Sequence, residues 1–410
     1  MAKKNPVVVG IDVGTYQTTV VVAEVGPSSV EIIGIGTAMA NGCLLKGVVA
    51  NIDESVKVIR KAVDEADLMA GCEIRNVYVS AGGAHIKGVN SHGVVAVRDR
   101  EVRQADVDRV LDAAEAIALP MDRSVIHVLP QEFVVDDQDG ISQPVGMAGV
   151  RLEARVHIVA GAVGAAENLK KCCNRAGLEV QDVLAAPLAA AEAVLTPEER
   201  ELGVALVDIG AGTTSIVVAW QGAIYHTAVL PVGGLNVTMD LAAALNTPKA
   251  EAERMKQRHA CALTLTASTE PSIEVAGIGG RPAHQLSQRQ LAEVIEPRCE
   301  ETLQLVWEEI ERAGCQHRLT SGIVLTGGGA LLAGIDTLAE RTFRMPVRLG
   351  VPLHLSGLVD VVASPMYSTA VGLVLHGLKQ QSAGVRTSEG MMRPIGQVGR
   401  RVVEWLQRFF

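Results

Sequence analysis

One motif occurs twice, and no other feature of the chain constrains its fold as tightly. Asp12-Val13-Gly14 followed by Thr18-Thr19-Val20-Val21-Val22 lines up with Asp208-Ile209-Gly210 followed by Thr214-Ser215-Ile216-Val217-Val218, an offset of 208 − 12 = 196 residues. Each copy reads as a strand ending in Asp, a glycine turn and a second Val-rich strand, which makes a hairpin whose tip is stripped of bulky side chains. Backbone N–H groups at such a tip can reach a phosphate, the hydroxyls of Thr15, Thr18, Thr213 and Thr214 add neutral donors, and Asp12 and Asp208 stand where a carboxylate could hold Mg²⁺ through water. For one hairpin alone, Gly14 or Gly210 is equally well explained as a residue that permits a tight turn. Two copies, spaced for two facing domains, argue for a shared phosphate site.

A third glycine element follows a buried strand: Ile323-Val324-Leu325-Thr326-Gly327-Gly328-Gly329-Ala330. Three glycines let a backbone approach a flat ring or sugar, and a helix N-terminus behind them favours negative charge, so adenosine and its phosphates fit there. The turn is not followed by Lys-Ser/Thr as in a Walker loop, and Gly34-x-Gly36 lacks the third glycine of a dinucleotide fingerprint.

The rest of the chain is consistent with this. Its 410 residues suggest two to three domains. At 48% hydrophobic but only 3% aromatic, its core must come from Val, Ile, Leu and Ala, which suits a sheet buried on both faces in an α/β fold. A net charge of −9 offers no general field for a polyanion, so no nucleic-acid partner is expected. The seven cysteines form no C-x-x-C pair and read as reduced thiols. The start, Met1 to Pro6, is polar rather than signal-like, and no run of about 20 apolar residues could span a bilayer, so membrane contact would be peripheral.

Along the chain, strands are predicted at Val7–Val9 into Asp12, Thr18–Val25 and Val30–Thr37. A helix follows from Asn51, its N-cap, to Gly71. Residues 85–161 read as an inserted strand-helix-strands domain. Its helix is marked by Val107, Val110, Leu111, Ala114, Ile117 and Ala118 and stopped by Pro120. A helix is predicted over Gly164–Gly177, and Thr196-Pro197-Glu198-Glu199 is a capping box. Residues 248–316 read as charged and largely helical, and 380–395 as a flexible linker.

The last segment, 396–410, places Val398, Val402, Trp405, Leu406 and Phe409 on one helical face, with Arg400 and Arg408 opposite and Arg401 and Phe410 alongside. From Arg386 to Phe410 there are five Arg against two Glu, a local +3. This is the signature of an interfacial membrane anchor. A helix that docks back on the body or on a partner is the alternative.

Hairpin, second hairpin and glycine-rich turn in this order resemble the ATPase fold shared by actin, heat-shock chaperones and sugar kinases, which is ribonuclease H-like. Pro130-Gln131-Glu132-Phe133, Pro144 to Val150, Leu291 to Arg298 and Tyr367 to Gly372 narrow the resemblance to the FtsA family of bacterial cell-division proteins, over nearly the whole chain. That resemblance implies a duplicated actin-like fold with two domains around a nucleotide cleft, a small inserted α+β domain and a C-terminal amphipathic helix. Its parts would be 1–84 with 162–203, the insert 85–161, 204–247 with 317–379, and 248–316.

It further implies that Gly14, Thr15, Gln17 and Thr18 form one phosphate loop and Gly210, Gly212, Thr213 and Thr214 the other, with Gly327, Gly328 and Gly329 beside the adenosine of ATP and Mg²⁺ as its counter-ion. Glu251, Arg254 and Lys256 would flank base and ribose, or else form a solvated helix face. The implied partners are further copies of the chain in an actin-like filament, the C-terminal peptide of FtsZ, later division proteins, and the cytoplasmic membrane at the septum. Arg298 and Glu301 could rim the FtsZ-peptide site, or be an ordinary exposed ion pair. Where heat-shock chaperones and many sugar kinases carry an acidic residue before a proline, this chain has Ala186 before Pro187, so hydrolysis is expected to be slow, with Asp208 left to position metal or water. A sugar or acyl kinase and a pilus-assembly or cell-shape ATPase are the competing readings.

Overall fold

The computed structural model describes residues 6–26, 30–277, 283–353 and 355–387. Both hairpins form where the repeated motif places them. In the first, Val7–Val13 runs antiparallel to Gln17–Val25 with Asp12 opposite Thr19; in the second, Val204–Ile209 runs antiparallel to Thr214–Trp220 with Asp208 opposite Ser215. The pairing register repeats at the spacing of the sequence, since 215 − 19 is again 196. Each first strand also has a parallel neighbour, Asn76–Ala81 in one half and Ile323–Thr326 in the other.

The first half is a six-stranded sheet in the order Glu179–Ala185, Asn76–Ala81, Val7–Val13, Gln17–Val25, Val30–Met39, Ser356–Gly357. The second runs Val347–Leu349, Ile323–Thr326, Val204–Ile209, Thr214–Trp220, Ala223–Leu230. Val20, Val21 and Val22 are all buried, as are Ile216, Val217 and Val218. Burial of successive residues requires cover on both faces, and helices provide it. Ile52–Ala70 and Val163–Arg175 cover one face of the first sheet. The helices Ala186–Val194 and Ser368–Thr387 share one core with Val8 and Val21 of the first half and Leu206 and Val217 of the second. They are the layer between the halves. Gly234–Ala244, Lys249–His259 and Gln288–Arg312 cover the far side of the second sheet.

Local signals set several boundaries. Asn51 caps the helix Ile52–Ala70 by accepting from the Glu54 N–H at 3.1 Å, and Gly71 ends it at φ 63°. Thr196 and Glu199 make the reciprocal bonds of a capping box.

Other boundaries move. The insert's helix is Gln104–Glu115, three residues short of the predicted Ala118. Its buried stripe of Val107, Val110, Leu111 and Ala114 is complete there, and Ile117 packs as part of the connection instead. The stretch 248–316 contains a hairpin, Pro271–Val275 with His284–Ser287, between its helices. The expected linker starts late, because the final helix continues to Thr387. Lys379 pairs with Glu192, and Gln380 donates to Asp182 at 2.6 Å. A helix docked that far propagates past its last anchored turn.

The insert forms strands Lys87–Ala96, Arg123–Val135, Gln138–Ile141 and Arg151–Ala162 around a core of its own that includes Phe133. Although it leaves from the first half, its sheet continues that of the second through the pair Ala228 and Lys87. Nothing in the sequence pattern pointed to that seam.

Candidate functional site

The glycine turns converge. Gly14 N–H donates to the Gln17 carbonyl at 3.1 Å and Gly210 N–H to the Thr213 carbonyl at 2.9 Å, the same turn in both halves. A Cβ on Gly212 would lie 2.8 Å from the Thr15 hydroxyl, so the second tip touches the first. The two tips open onto one cavity of about 820 Å³, lined from both halves. That is the size of a site for a nucleotide-sized ligand.

Asp12, Gly14, Thr15, Gln17, Asp208, Gly210, Gly212, Thr213, Lys256, Gly327, Gly328 and Gly329 all line it. Thr15 Oγ1 accepts from Gly47 N–H at 2.8 Å, which leaves its own hydrogen for a ligand. Thr18 and Thr214 do not line it. Both hydroxyls lie inside the hairpin strands: Thr214 Oγ1 donates to the Val232 carbonyl at 2.9 Å, and Thr18 Oγ1 is buried with no hydrogen-bond partner among the described residues. Strand alternation decides this: Gln17 and Ser215, one position along the same strands, line the cavity, while Thr18 and Thr214 take the opposite, buried face.

The third glycine run divides its roles. Gly327 has φ +82°, and a Cβ there would sit 2.1 Å from Asp208 Oδ1; on Gly329 it would sit 2.4 Å from Ile209 Cγ2. These two fit against the end of Val204–Ile209, and Gly328 alone faces open space. The segment directly behind is a single 3₁₀ turn, Gly328–Leu331, and the α-helix begins only at Ile335, so no helix N-terminus stands immediately behind the glycines.

Asp12 Oδ1 accepts from the Ser80 hydroxyl at 2.6 Å, and Asp208 Oδ2 from the Thr369 hydroxyl at 3.5 Å. Both carboxylates keep some surface because they face the cavity, yet protein surrounds them closely. Burial raises the Asp12 pKa, partly opposed by the Ser80 bond. Burial, followed by the Asp12 charge, pushes Asp208 up to about 7, with the Thr369 bond opposing. Two neighbouring carboxyl groups raised chiefly by burial, with Asp208 raised further by the Asp12 charge, fit a bound divalent cation, which would relieve both.

Of the charged run expected beside base and ribose, only Lys256 is in the cavity. Its Nζ donates to the Gly234 carbonyl at 2.9 Å, Thr238 Oγ1 at 2.8 Å and Glu253 at 2.9 Å. Glu251 and Arg254 pair with each other away from it. Burial of Ala252 and Met255 turns those two positions outward. Arg298 pairs with Glu301 within its own helix and also with Asp240 of the helix Gly234–Ala244 at 2.5 Å, so Arg298 joins two helices as well as standing at a surface. The anchor residues Val398, Arg400, Arg401, Val402, Trp405, Leu406, Arg408, Phe409 and Phe410 lie outside the described residues.

Ala186, set before Pro187 where an acidic residue would stand, lines the cavity too, and the wall also includes Tyr16, Gly47, Ser80, Glu253, Gln257 and Thr369, which motif reading missed. Glu253 and Gln257 were within its reach. They lie three residues before and one after Lys256, on the same side of an amphipathic helix. Ser80 carries no sequence signal and Thr369, within the family-like stretch Tyr367 to Gly372, carries none for this site; the sheet and the final helix bring them in.

Two related halves closed on a glycine-lined cleft make this an actin-like protein, and solved structures agree on the fold. A chain of the "PilM-PilN type IV pilus biogenesis complex" superposes with a TM-score of 0.65 at 18% identity, covering 90% of this chain and 98% of that one. MreB5 of Spiroplasma citri bound to ADP superposes with a TM-score of 0.55 at 14% identity, covering 95% and 100%. In sequence, the chain is 49% identical to Cell division protein FtsA of Pseudomonas aeruginosa over 100% of its own length and 99% of that protein. It is 41% identical to Cell division protein FtsA of Escherichia coli over 100% and 99%. The family model "Cell division protein FtsA" matches residues 205–372, and "SHS2 domain inserted in FTSA" matches 83–160. The chain belongs to the FtsA family of cell division proteins. Among the described residues no helix is long and apolar enough to cross a membrane.

Proposed function

We propose that this protein binds ATP with Mg²⁺ in the cleft, assembles into actin-like filaments, and ties FtsZ filaments to the cytoplasmic face of the membrane at the division septum, where it helps recruit later division proteins. The observation that carries the reading is the contact of Gly212 with Thr15 over a single cavity walled by both halves. Glycine N–H groups and the Thr15 and Thr213 hydroxyls would hold phosphates, while Asp12 and Asp208 would hold the cation, directly or through water. The bound cation supplies neutralisation of phosphate charge.

Ala186 lines the cavity at the start of its helix and can neither polarise water nor accept a proton, which supports slow hydrolysis and ATP acting mainly as a conformational ligand. That counts against a sugar or acyl kinase. Membrane attachment is assigned to residues 396–410, and FtsZ-peptide binding to the 248–316 region. Co-sedimentation with anionic liposomes, with ATP and labelled FtsZ C-terminal peptide, tests the whole reading. Full-length protein should pellet and carry the peptide down, whereas protein lacking 396–410 should stay soluble. Full-length protein that neither pellets nor retains peptide overturns it.

A further inference from the structure

A chain of hydrogen bonds runs around the cavity from one glycine loop to the other. Gly234 N–H donates to the Gly210 carbonyl at 2.9 Å, and the Gly234 carbonyl accepts from Lys256 Nζ at 2.9 Å. Lys256 also donates to Glu253 at 2.9 Å, and the Gln257 amide donates to Glu253 Oε1 at 2.9 Å. The circuit closes where Gln257 Nε2 donates to Tyr16 Oη at 2.6 Å, joining the tip of the first hairpin to the helix Lys249–His259 across 241 residues of chain. Each of these residues lines the cavity.

The geometry is held from behind. Glu253 can only accept, so it fixes which end of the Gln257 amide faces it, and both amide hydrogens are then used. Glu253 stays ionised: burial works to raise its pKa, but hydrogen bonds from Thr238, Lys256 and Gln257 and the Lys256 charge bring it below the ordinary range. Its carboxylate is thus a fixed post for the amide. Tyr16, by contrast, sits on a hairpin tip, and the bond it receives spans the two sides of the cleft.

We infer that Tyr16 and Gln257 are positioning residues that close the cavity mouth over a bound nucleoside di- or triphosphate, so that release waits on the bond between them. This rests on the nucleotide reading above and adds what retains the ligand. A neutral hydrogen bond that forms over the ligand after entry and must break before release slows dissociation and leaves association nearly unchanged.

The test uses full-length protein, Mg²⁺ and a ribose-labelled fluorescent ATP, chased with excess unlabelled ATP in a stopped-flow. Tyr16→Phe keeps the ring and removes the hydroxyl; it should raise the dissociation rate about fivefold, with association changed by less than about twofold, as loss of one neutral hydrogen bond requires. Gln257→Ala should do the same, and the double variant should be no faster than the faster single one, since both remove one bond. Melting temperatures without nucleotide should match the wild type. Unchanged dissociation in Tyr16→Phe overturns the inference while leaving nucleotide binding standing. So does faster dissociation accompanied by a lower nucleotide-free melting temperature, which would mean general loosening. A wild-type protein that binds no labelled ATP overturns both readings.

Discussion

At the scale of single residues, the three consecutive glycines look interchangeable in sequence and differ in the fold. Gly327 adopts a positive φ and has the Asp208 carboxylate where a Cβ would go, whereas nothing lies within 4 Å of a Cβ on Gly328. Gly327→Ala is therefore expected to cost at least about 2 kcal/mol of folding stability, from strain and displacement of Asp208 together. Gly328→Ala should leave the denaturation midpoint within about 0.5 kcal/mol of wild type yet weaken ATP binding, by putting a methyl where a ligand approaches. Denaturant titration and equilibrium nucleotide binding on the two variants separate the roles. Ala186 invites the opposite experiment. With a carboxylate at that cavity-lining position, Ala186→Glu should raise phosphate release from ATP by about a hundredfold if the missing base is what keeps turnover slow.

At the scale of elements, two junctions decide the architecture. The helices Ala186–Val194 and Ser368–Thr387 cross so closely that a Cβ on Gly372 would lie 1.8 Å from the Ala189 carbonyl. That crossing seats the final helix between the halves, with Thr369 at the cavity and Lys379 on Glu192. The other junction is the seam between the insert and the second sheet. There His157 is fully buried, with Nδ1 2.6 Å from Asn90 Oδ1 and Nε2 2.9 Å from Thr227 Oγ1. Burial, then the nearby His226, lowers its pKa to about 3. An unfolded histidine titrates near 6.5, so between these values the unfolded chain binds the extra proton and stability rises with pH. The contribution is complete above about pH 6.5 and shrinks as pH drops towards about 3, amounting to about 2 kcal/mol between pH 7 and pH 5. Urea titrations at those two pH values should show that difference smaller by this amount in His157→Asn.

At the scale of the whole molecule, the protein joins a glycine-lined cleft, which we propose holds ATP, to a basic, apolar terminus, and each is expected to strengthen the other through assembly. One short interfacial helix binds reversibly, while a filament presents many of them at once. Replacing Arg400, Arg401 and Arg408 together with Gln should weaken partition onto anionic vesicles by about a hundredfold, at roughly 1 kcal/mol per basic residue, and hardly affect neutral vesicles. Vesicle co-sedimentation at low and high salt reads both arms, since the electrostatic share is screened by salt.

What the sequence determined by itself was everything that depends on neighbours along the chain. The Asp-Gly-Thr hairpins, the caps at Asn51 and Thr196, the glycine stop at Gly71 and the Val-rich strands are local chemistry, and the 196-residue repeat carried that chemistry into two related halves and hence the fold. Tertiary structure decided which of those residues face the cavity. Thr18 and Thr214 took the opposite, buried face, Glu251 and Arg254 turned outward, and Ser80, Thr369, Tyr16 and Gln257 were brought to the cavity from distant segments. It also joined the insert to the second sheet and carried the final helix past Lys379. Such outcomes rest on close packing between segments far apart in the chain, where one buried side chain or one missing Cβ selects the partner, and no local periodicity encodes that choice.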